Sequence, residues 1–137
     1  MVLVIADDIS GAAELAGIAF AHGLTAEVQT EFQPRAEAQV ICLDTNTRRL
    51  SADEAAAVLR KLAKHVRTAR PEFIFKKTDS ALRGHIATEL GVLMEATARA
   101  RAVFVPANPS RGRVILGGEY FIGDTPLHET DFAHDPQ

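Results

Sequence analysis

The chain has 137 residues, of which 47% are hydrophobic and 24% charged, and its formal net charge is −3 at pH 7. This length suits one domain with a sizeable core, and the acidic balance, with one Tyr and no Trp, argues against a nucleic-acid partner. No apolar run could span a bilayer, no signal-peptide pattern is present, and Cys42 is the only cysteine, so we expect a cytoplasmic protein with Cys42 in its core.

The first half of the chain predicts three strands and two helices. Short runs rich in β-branched residues predict strands over residues 2–5, 24–30 and 39–43. A helix follows the first strand, with apolar residues in helical register at Leu15, Ile18 and Ala19. The second helix begins with a capping box, because Glu54 stands three residues after Ser51. Its apolar stripe comprises Ala55, Val58, Leu59, Leu62, Ala63 and Val66.

The second half predicts two further strands, a helix and a hairpin. Residues 73–75 and 102–105 are compact apolar runs, which are typical of buried strands. The helix between them has one apolar side, formed by Ile86, Leu90, Leu93 and Met94. Residues 114–116 and 120–122 flank a Gly-Gly-Glu turn and predict a β-hairpin. The tail, residues 123–137, is rich in turn formers and predicts no regular element.

Polar clusters follow four of the predicted strands, at the point where each strand ends. They are Asp7-Asp8, residues 44–49, residues 76–84 and residues 108–113. Strands that alternate with helices predict an α/β fold, here a three-layer Rossmann-like domain with a mainly parallel sheet plus a C-terminal β-hairpin. Because the carboxyl ends of parallel strands share one edge, we expect the four clusters to form one ligand site there.

The cluster after the fourth strand combines side chains that suit an anionic ligand. Lys77 and Arg83 supply positive charge beside a helix N-terminus, whose first backbone N–H groups lack intrahelical partners. Asp79 can accept a hydroxyl proton or hold a hydroxyl, and Gly84 lets a ligand approach the backbone closely. The alternative is that Ser80 or Asp79 caps the helix while the basic side chains remain in water.

Asp7 and Asp8 are the second chemical feature of the sequence. They can bind hydroxyls or, through water, a magnesium ion. The alternative is that one of them caps the first helix and the other is solvated. A sugar acid can be bound by carboxylates that accept hydrogen bonds from its hydroxyls, together with cations that pair with its carboxylate or a phosphate. The cations expected at the site include Arg48, Lys77, Arg83, Arg111 and Arg113.

Three separated segments, which cover nearly the whole chain, resemble motifs of the four-carbon acid sugar kinase family, long described as a domain of unknown function. Residues 5–12, IADDISGA, resemble its N-terminal signature, and residues 76–84, KKTDSALRG, resemble its central motif. Residues 106–118 resemble its third block, which continues through residues 123–136. The resemblance implies ATP-dependent phosphorylation of threonate, erythronate or oxo-tetronate-type acids. It also implies that an N-terminal domain binds the sugar acid and a separate C-terminal domain binds the nucleotide.

For this chain, the resemblance implies an incomplete N-terminal substrate-binding domain over residues 1–137, inactive as a kinase by itself. Asp8 and Asp79 are the expected catalytic residues, and the chain is expected to supply no metal ligand. The expected substrate-binding residues are Asp7, Arg48, Lys77, Ser80, Arg83, Gly84 and Arg113. ATP and Mg²⁺ are the expected cofactors, with the nucleotide site outside this chain. The expected partners are a small sugar acid, the missing C-terminal domain and a second copy in a homo-oligomer.

The chain departs from the family pattern at positions that fall in the motifs, and these departures leave the preferred four-carbon acid open. Threonine is usual where this chain has Ser10, Ala81 and Val114. His85 stands where asparagine is frequent, and Asn108 stands where an aromatic residue is frequent.

Two other functions are compatible with the same residues. One is a stand-alone sensor that binds a sugar acid or another anion and catalyses nothing. The other is a metal-dependent hydrolase built on Asp7, Asp8, His128 and His134, which no compact ligand motif supports.

Overall fold

A parallel sheet of four strands forms the centre of the molecule. The computed structural model describes residues 1–34 and 37–134. The strands are β1 (Val2–Ala6), β2 (Ala26–Gln29), β3 (Val40–Asp44) and β4 (Phe73–Lys77), in the spatial order β2-β3-β1-β4. In the ladder register, Ala6 of β1 is level with both Asp44 of β3 and Lys77 of β4. The polar segments that follow these three strands therefore begin at one edge.

Helices cover both faces of the sheet, because β1 and β3 are apolar on both sides. Helix α1 (Ile9–Ala21) packs on the face that presents Val4 and Cys42. Helices α2 (Ala52–Ala69) and α3 (Ile86–Ala96) pack on the opposite face. The predicted three-layer α/β architecture is confirmed. None of the helices in the described part of the chain combines the length and apolar character that crossing a membrane requires.

Helix α2 follows the sequence prediction closely. The hydroxyl of Ser51 accepts from the backbone N–H of Glu54, whose carboxylate accepts in return from the N–H of Ser51. The stripe predicted to be apolar is buried, apart from the half-buried Val58. Helix α1 is covered less well, since Ile18 is 48% exposed and Phe20 is 78% exposed. Burial of Cys42 raises the pKa of its thiol, as suits a core residue.

The predicted C-terminal hairpin is present and belongs to a small antiparallel sheet. Strands β5 (Arg113–Leu116) and β6 (Glu119–Ile122) are joined by Gly117 and Gly118, which both have positive φ. A short strand, β7 (Thr125–Pro126), pairs with β6. Two 3₁₀ turns, Leu127–Glu129 and Asp131–His134, follow where the sequence predicts no regular element. Asp135, Pro136 and Gln137 lie outside the described residues.

The predicted strand over residues 102–105 is wrong. These residues form no strand, and the side chains of Val103 and Val105 are 90% and 73% exposed. They lie across a cleft from β4, which ends the parallel sheet within residues 1–34 and 37–134. A run of β-branched and aromatic residues favours a strand only where a neighbouring strand pairs with it. The composition of residues 102–105 favours a strand, but the fold gives them no pairing partner among the described residues.

Candidate functional site

A cleft of about 1140 Å³ begins at the carboxyl edge of the parallel sheet and runs along β4. Seven of the nine predicted site residues line this cleft: Asp8, Arg48, Lys77, Asp79, Ser80, Arg83 and Arg113. They come from the end of β4, from the loops after β1, β3 and β4, and from strand β5. The clusters after β1, β3 and β4 meet at one edge as expected, whereas Arg113 reaches the cleft from the small antiparallel sheet and not from the end of a parallel strand. Asp7 and Gly84 do not line the cleft.

Arg48 bridges the carboxylates that follow β1. Its Nε and Nη2 donate to Asp7 at 3.0 and 2.9 Å, and its Nη1 donates to Asp8 at 2.8 Å. Its Nη2 also lies 3.6 Å from an oxygen of Asp79. Burial opposes the charge on Arg48, but the hydrogen bond to Asp7 and the three nearby carboxylates outweigh it and raise the pKa of Arg48. The positive charge of one guanidinium therefore offsets the negative charge of several carboxylates.

Asp7 and Asp8 have different surroundings, although they are adjacent in sequence. Asp8 caps α1, because its Oδ1 accepts from the N–H of Gly11 at 2.8 Å, so the capping alternative is correct for Asp8. Asp7 is only 3% exposed, so the expectation of a solvated second carboxylate is wrong. A side chain on Gly11 would bring its Cβ within 2.9 Å of Asp8, and this explains the glycine there.

Gly84 makes room for Asp7. Its φ is +83°, and a Cβ built there would lie 2.8 Å from Oδ2 of Asp7. From the sequence, we expect this glycine to let a ligand approach the backbone. In the structure, the carboxylate of Asp7 occupies the space beside Gly84, so the glycine is explained by a contact within the protein.

Asp79 and Arg83 form a two-pronged ion pair in the loop before α3. Nε and Nη2 of Arg83 donate to the two oxygens of Asp79 at 2.9 and 3.0 Å, and the N–H of Ala81 donates at 2.9 Å. Burial raises the pKa of Asp79, but these hydrogen bonds and the charges of Arg48 and Arg83 lower it to about 2. Asp79 is therefore a fixed anion near neutral pH and a weak proton acceptor.

The alternative in which Ser80 or Asp79 caps α3 is wrong. The N-cap residue of α3 is His85, whose side chain makes no capping hydrogen bond. Its Nε2 instead lies 2.6 Å from the carbonyl oxygen of Leu50, in the loop before α2. The chain between Asp79 and α3 therefore forms a separate loop, which Asp79 holds through the N–H of Ala81.

The two adjacent lysines of β4 point to opposite faces of the sheet. Nζ of Lys77 lies 3.3 Å from Glu14 of α1 and donates to the carbonyl of Thr78. Nζ of Lys76 lies 2.7 Å from Glu89 of α3, and both side chains are almost fully buried. Glu89 also accepts from the hydroxyl of Thr47, the residue before Arg48. This ion pair thus connects β4 and α3 to the loop that carries Arg48.

The sequence does not identify Lys76, Glu89 and Thr47 as a connected group. A weak signal existed, because Glu89 precedes Val92 and Leu93, the α3 residues that pack on the core, by three and four residues. A carboxylate in such a position requires a buried cation or hydroxyl partner. Nothing in the local sequence identified Lys76 as that partner.

The small antiparallel sheet contacts the central loop through the carbonyl oxygen of Ser80. Nη1 of Arg113 donates to this oxygen at 3.2 Å, and the hydroxyl of Tyr120 donates to it at 2.8 Å. Ser80 therefore contributes its backbone here, whereas sequence analysis proposed the residue as a substrate ligand. The ring of Phe132 lies 5.7 Å from the guanidinium of Arg83 and 5.6 Å from that of Arg113.

The arrangement expected of a metal-dependent hydrolase does not form. Within the two described ranges, no group of three or more His, Cys, Asp or Glu side chains is placed to hold a metal ion. His128 is exposed and lies 3.3 Å from Glu119 of the hairpin. Asp7 and Asp8 pair with Arg48 instead.

The chain is similar to sugar-acid kinases in sequence. A family model described as a sugar-binding N-terminal domain matches residues 2–137. The D-threonate kinase of Salmonella typhimurium is 36% identical over 138 residues, which cover 98% of this chain and 33% of that enzyme. The D-erythronate kinase of Heliobacterium modesticaldum is 28% identical over 142 residues, which cover 99% of this chain and 32% of that enzyme.

A solved structure shares the fold. The crystal structure of a domain of unknown function from Bordetella bronchiseptica, a domain-swapped dimer with bound citrate, matches with a TM-score of 0.90 and 31% identity. The match covers 98% of this chain and 36% of that one. The chain therefore spans about a third of the length of these three relatives.

Proposed function

Because this chain belongs to the family of sugar-binding N-terminal domains, we propose that it is the sugar-acid-binding part of an ATP-dependent kinase for four-carbon acids. The names of its relatives, which include D-threonate, D-erythronate and 3-oxo-tetronate kinases, support this proposal. Phosphoryl transfer is proposed for the whole protein, since the chain spans only a third of such kinases. The proposed compartment is the cytoplasm, where ATP is available.

The observation that carries the proposal is the collection of carboxylates and cations at one edge of the sheet. A four-carbon sugar acid has a carboxylate at one end and hydroxyl groups along its chain, so it requires both kinds of partner. In our proposal, Lys77, Arg83 and Arg113 supply the positive charge that the substrate carboxylate meets. Asp8, whose side chain is 25% exposed at the cleft, accepts a hydrogen bond from a substrate hydroxyl. The citrate bound by the Bordetella relative is consistent with a carboxylate site.

We propose different functions for the two expected catalytic carboxylates. A general base works best when its pKa lies near the operating pH. The pKa of Asp79, at about 2, makes this residue a poor base, so we propose that it orients Arg83. Asp8 then holds the hydroxyl that attacks the phosphoryl group. Asp7, which is buried, acts through Arg48 and does not touch the substrate in this proposal.

ATP and Mg²⁺ are proposed to bind to the C-terminal domain of the whole kinase. The described residues do not fit a magnesium site, because both oxygens of Asp7, Asp8 and Asp79 already accept N–H donors at 2.8 to 3.0 Å. The sequence also contains no glycine-rich phosphate loop followed by a lysine. This chain would therefore bind and orient the acceptor, while the donor is positioned by another domain.

A second copy of the chain is a further proposed partner. The Bordetella relative is a domain-swapped dimer. In this chain, the exposed side chains of Val103 and Val105 lie beside the outer edge of β4, to which no strand pairs within the described residues. Apolar surface next to an unpaired strand edge favours association with another chain.

Calorimetric titration with D-threonate and D-erythronate tests the binding part of the proposal. Replacement of Lys77 by Met should weaken binding by about tenfold to a hundredfold, because a desolvated carboxylate loses a charged hydrogen-bond partner. Lys61→Met is the matched control, since Lys61 is exposed on α2 and does not line the cleft. Unchanged affinity in Lys77→Met would remove Lys77 from the site.

An ADP-release assay tests the catalytic part. We expect turnover of the sugar acid only when the C-terminal domain of such a kinase is supplied together with this chain. Binding without turnover in the presence of both domains would favour the sensor function. Robust turnover by the isolated chain would show that a nucleotide site lies within it.

A further inference from the structure

We propose that Phe132 is a positioning residue that fixes the guanidinium groups of Arg83 and Arg113 for the carboxylate of the sugar acid. This inference rests on the proposed function of the cleft. Phe132 lies within residues 123–136, the continuation of the third block, but neither that resemblance nor the paired carboxylates assign it a role. It comes from the small 3₁₀ turn Asp131–His134, near the end of the described chain.

The geometry places one aromatic ring against two cations. The Cζ atoms of Arg83 and Arg113 lie 5.7 and 5.6 Å from the centroid of the Phe132 ring, within the range of cation–π attraction. Two guanidinium groups repel each other, so holding both at one site requires compensation. An aromatic ring supplies part of it through the negative potential of its face.

Polar partners fix the same two guanidinium groups from other directions. Arg83 is held by both oxygens of Asp79. Arg113 donates to the carbonyl of Ser80, which also accepts from the hydroxyl of Tyr120. The two arginines thus belong to different elements, the loop before α3 and strand β5, and Phe132 contacts both.

Phenylalanine suits this task better than an acid would. Asp79 already occupies two N–H donors of Arg83 and compensates part of its charge, and a second carboxylate would compensate more of it. The ring accepts no conventional hydrogen bond and carries no net charge, so it helps to orient a guanidinium without adding negative charge or occupying further N–H donors. Less side-chain entropy is then lost when the ligand binds.

Burial alone does not explain the position of Phe132. Its side chain is 37% exposed, and it is part of neither hydrophobic cluster that packs on the parallel sheet. A residue that only filled the core would be expected to be covered more fully. The two arginine contacts are therefore its distinguishing feature.

The test combines titration with NMR on the full chain. In Phe132→Leu, which keeps an apolar side chain but removes the ring, binding of D-threonate and D-erythronate should weaken by about tenfold. Phe132→Tyr retains the ring and should bind within about twofold of the parent chain. Phe20→Leu is the matched control, because Phe20 is 78% exposed on α1 and does not line the cleft. Its affinity should not change.

A direct readout of position accompanies the affinities. The ring shifts the Nε–H proton signals of nearby arginines, so these signals of Arg83 and Arg113 should move in Phe132→Leu and stay in place in Phe20→Leu. Equal sugar-acid affinities of the parent chain and Phe132→Leu would overturn this inference and leave the proposed function intact. Absence of sugar-acid binding by the parent chain would overturn both. Arginine signals that do not move in Phe132→Leu would also overturn the inference.

Discussion

At the scale of single residues, the site is governed by the compensation of buried charge. Asp7 is buried with both oxygens paired to Arg48, which also reaches Asp8. A buried ion pair adds little net stability compared with apolar packing, but removal of one member leaves the other charge uncompensated. The structure of the cleft therefore depends on Arg48 more than on any exposed cation around it.

Replacement of Arg48 by Met should lower the free energy of unfolding by about 3–5 kcal/mol, because Asp7 would remain buried without its partner. Urea unfolding at neutral pH measures this loss. Arg49→Met is the matched control, since Arg49 is the exposed neighbour in the same loop. A second replacement, Asp7→Asn, should recover part of the stability in the Arg48→Met background. Equal stability of Arg48→Met and Arg49→Met would contradict the compensating function of Arg48.

Asp79 should make the stability of the domain depend on acid pH. Its pKa is about 2 in the folded chain, below the ordinary value of 3.8. The ionised carboxylate of Asp79 therefore stabilises the fold fully above the pKa that Asp79 has in the unfolded chain. This stabilisation is lost as the pH falls through the pKa that Asp79 has in the folded chain. When the pH falls from about 5 to about 2, the free energy of unfolding should decrease in the parent chain. The decrease should be about 2 kcal/mol smaller in Asp79→Asn.

Urea unfolding across this pH range measures the difference for Asp79. Asp124→Asn, a change at an exposed carboxylate after the hairpin, is the control and should follow the parent curve. The same acid dependence in Asp79→Asn and in the parent chain would show that Arg83 and Arg48 do not hold the pKa of Asp79 low.

At the scale of elements, the loop between β4 and α3 determines how closely the central motif approaches the end of β1. Its conformation includes positive φ at Leu82 and Gly84. At Gly84 the loop passes the carboxylate of Asp7 so closely that no side chain fits. A glycine in this motif is therefore required by packing between two loops that follow adjacent parallel strands.

Gly84→Ala should destabilise the domain by about 2–4 kcal/mol, through backbone strain at φ +83° and a clash with Asp7. Gly91→Ala is the matched control within the neighbouring helix α3, where a Cβ would meet no atom within 4 Å. There the change should stabilise the chain by about 0.5–1 kcal/mol, because alanine favours a helix more than glycine. Thermal or urea unfolding gives both values. An unchanged free energy of unfolding in Gly84→Ala would mean that the loop can move away from Asp7 without loss of stability.

At the scale of the whole molecule, helices cover both faces of β1 and β3, whereas β4 is an edge strand with no strand beyond it in the described part of the chain. Large apolar side chains are exposed on both sides of this edge, among them Phe73, Phe75, Val103, Phe104 and Val105. The cleft that holds the site continues between β4 and the segment over residues 102–107. The proposed ligand site and the proposed association surface are therefore parts of one cleft.

The chain should self-associate through this open edge, and a double change of Val103 and Val105 to Lys should weaken the association. Both side chains are largely exposed, so the free energy of unfolding of the monomer should stay within about 0.5 kcal/mol. Sedimentation velocity over a range of concentrations measures the association. Val28→Lys, at an exposed position of β2 on the opposite edge of the sheet, is the control. Association that is equally strong in the double variant would place the contact elsewhere.

The sequence by itself determined the strands β1 to β4, the three helices, the hairpin and the edge of the sheet that carries the polar clusters. These features depend on amino-acid composition and on hydrophobic periodicity over a few residues. The position of the polar clusters also depends on the parallel direction of the strands, which brings their carboxyl ends to one edge. The capping box of α2 and the Gly-Gly turn are local in the same sense, because all their interacting groups lie within a few residues.

Only the tertiary structure decided which charged and polar side chains pair with each other. Arg48 and Asp7 are 41 residues apart, and Thr47 and Glu89 are 42 apart, so no local pattern pairs them. For the same reason, the sequence could not show that Gly84 faces Asp7, or that residues 102–105 lack a pairing strand. An amino-acid pattern specifies the tendency of a segment to form a helix, strand or turn. The segments that form ion pairs, close backbone contacts and strand pairs meet only in the folded chain.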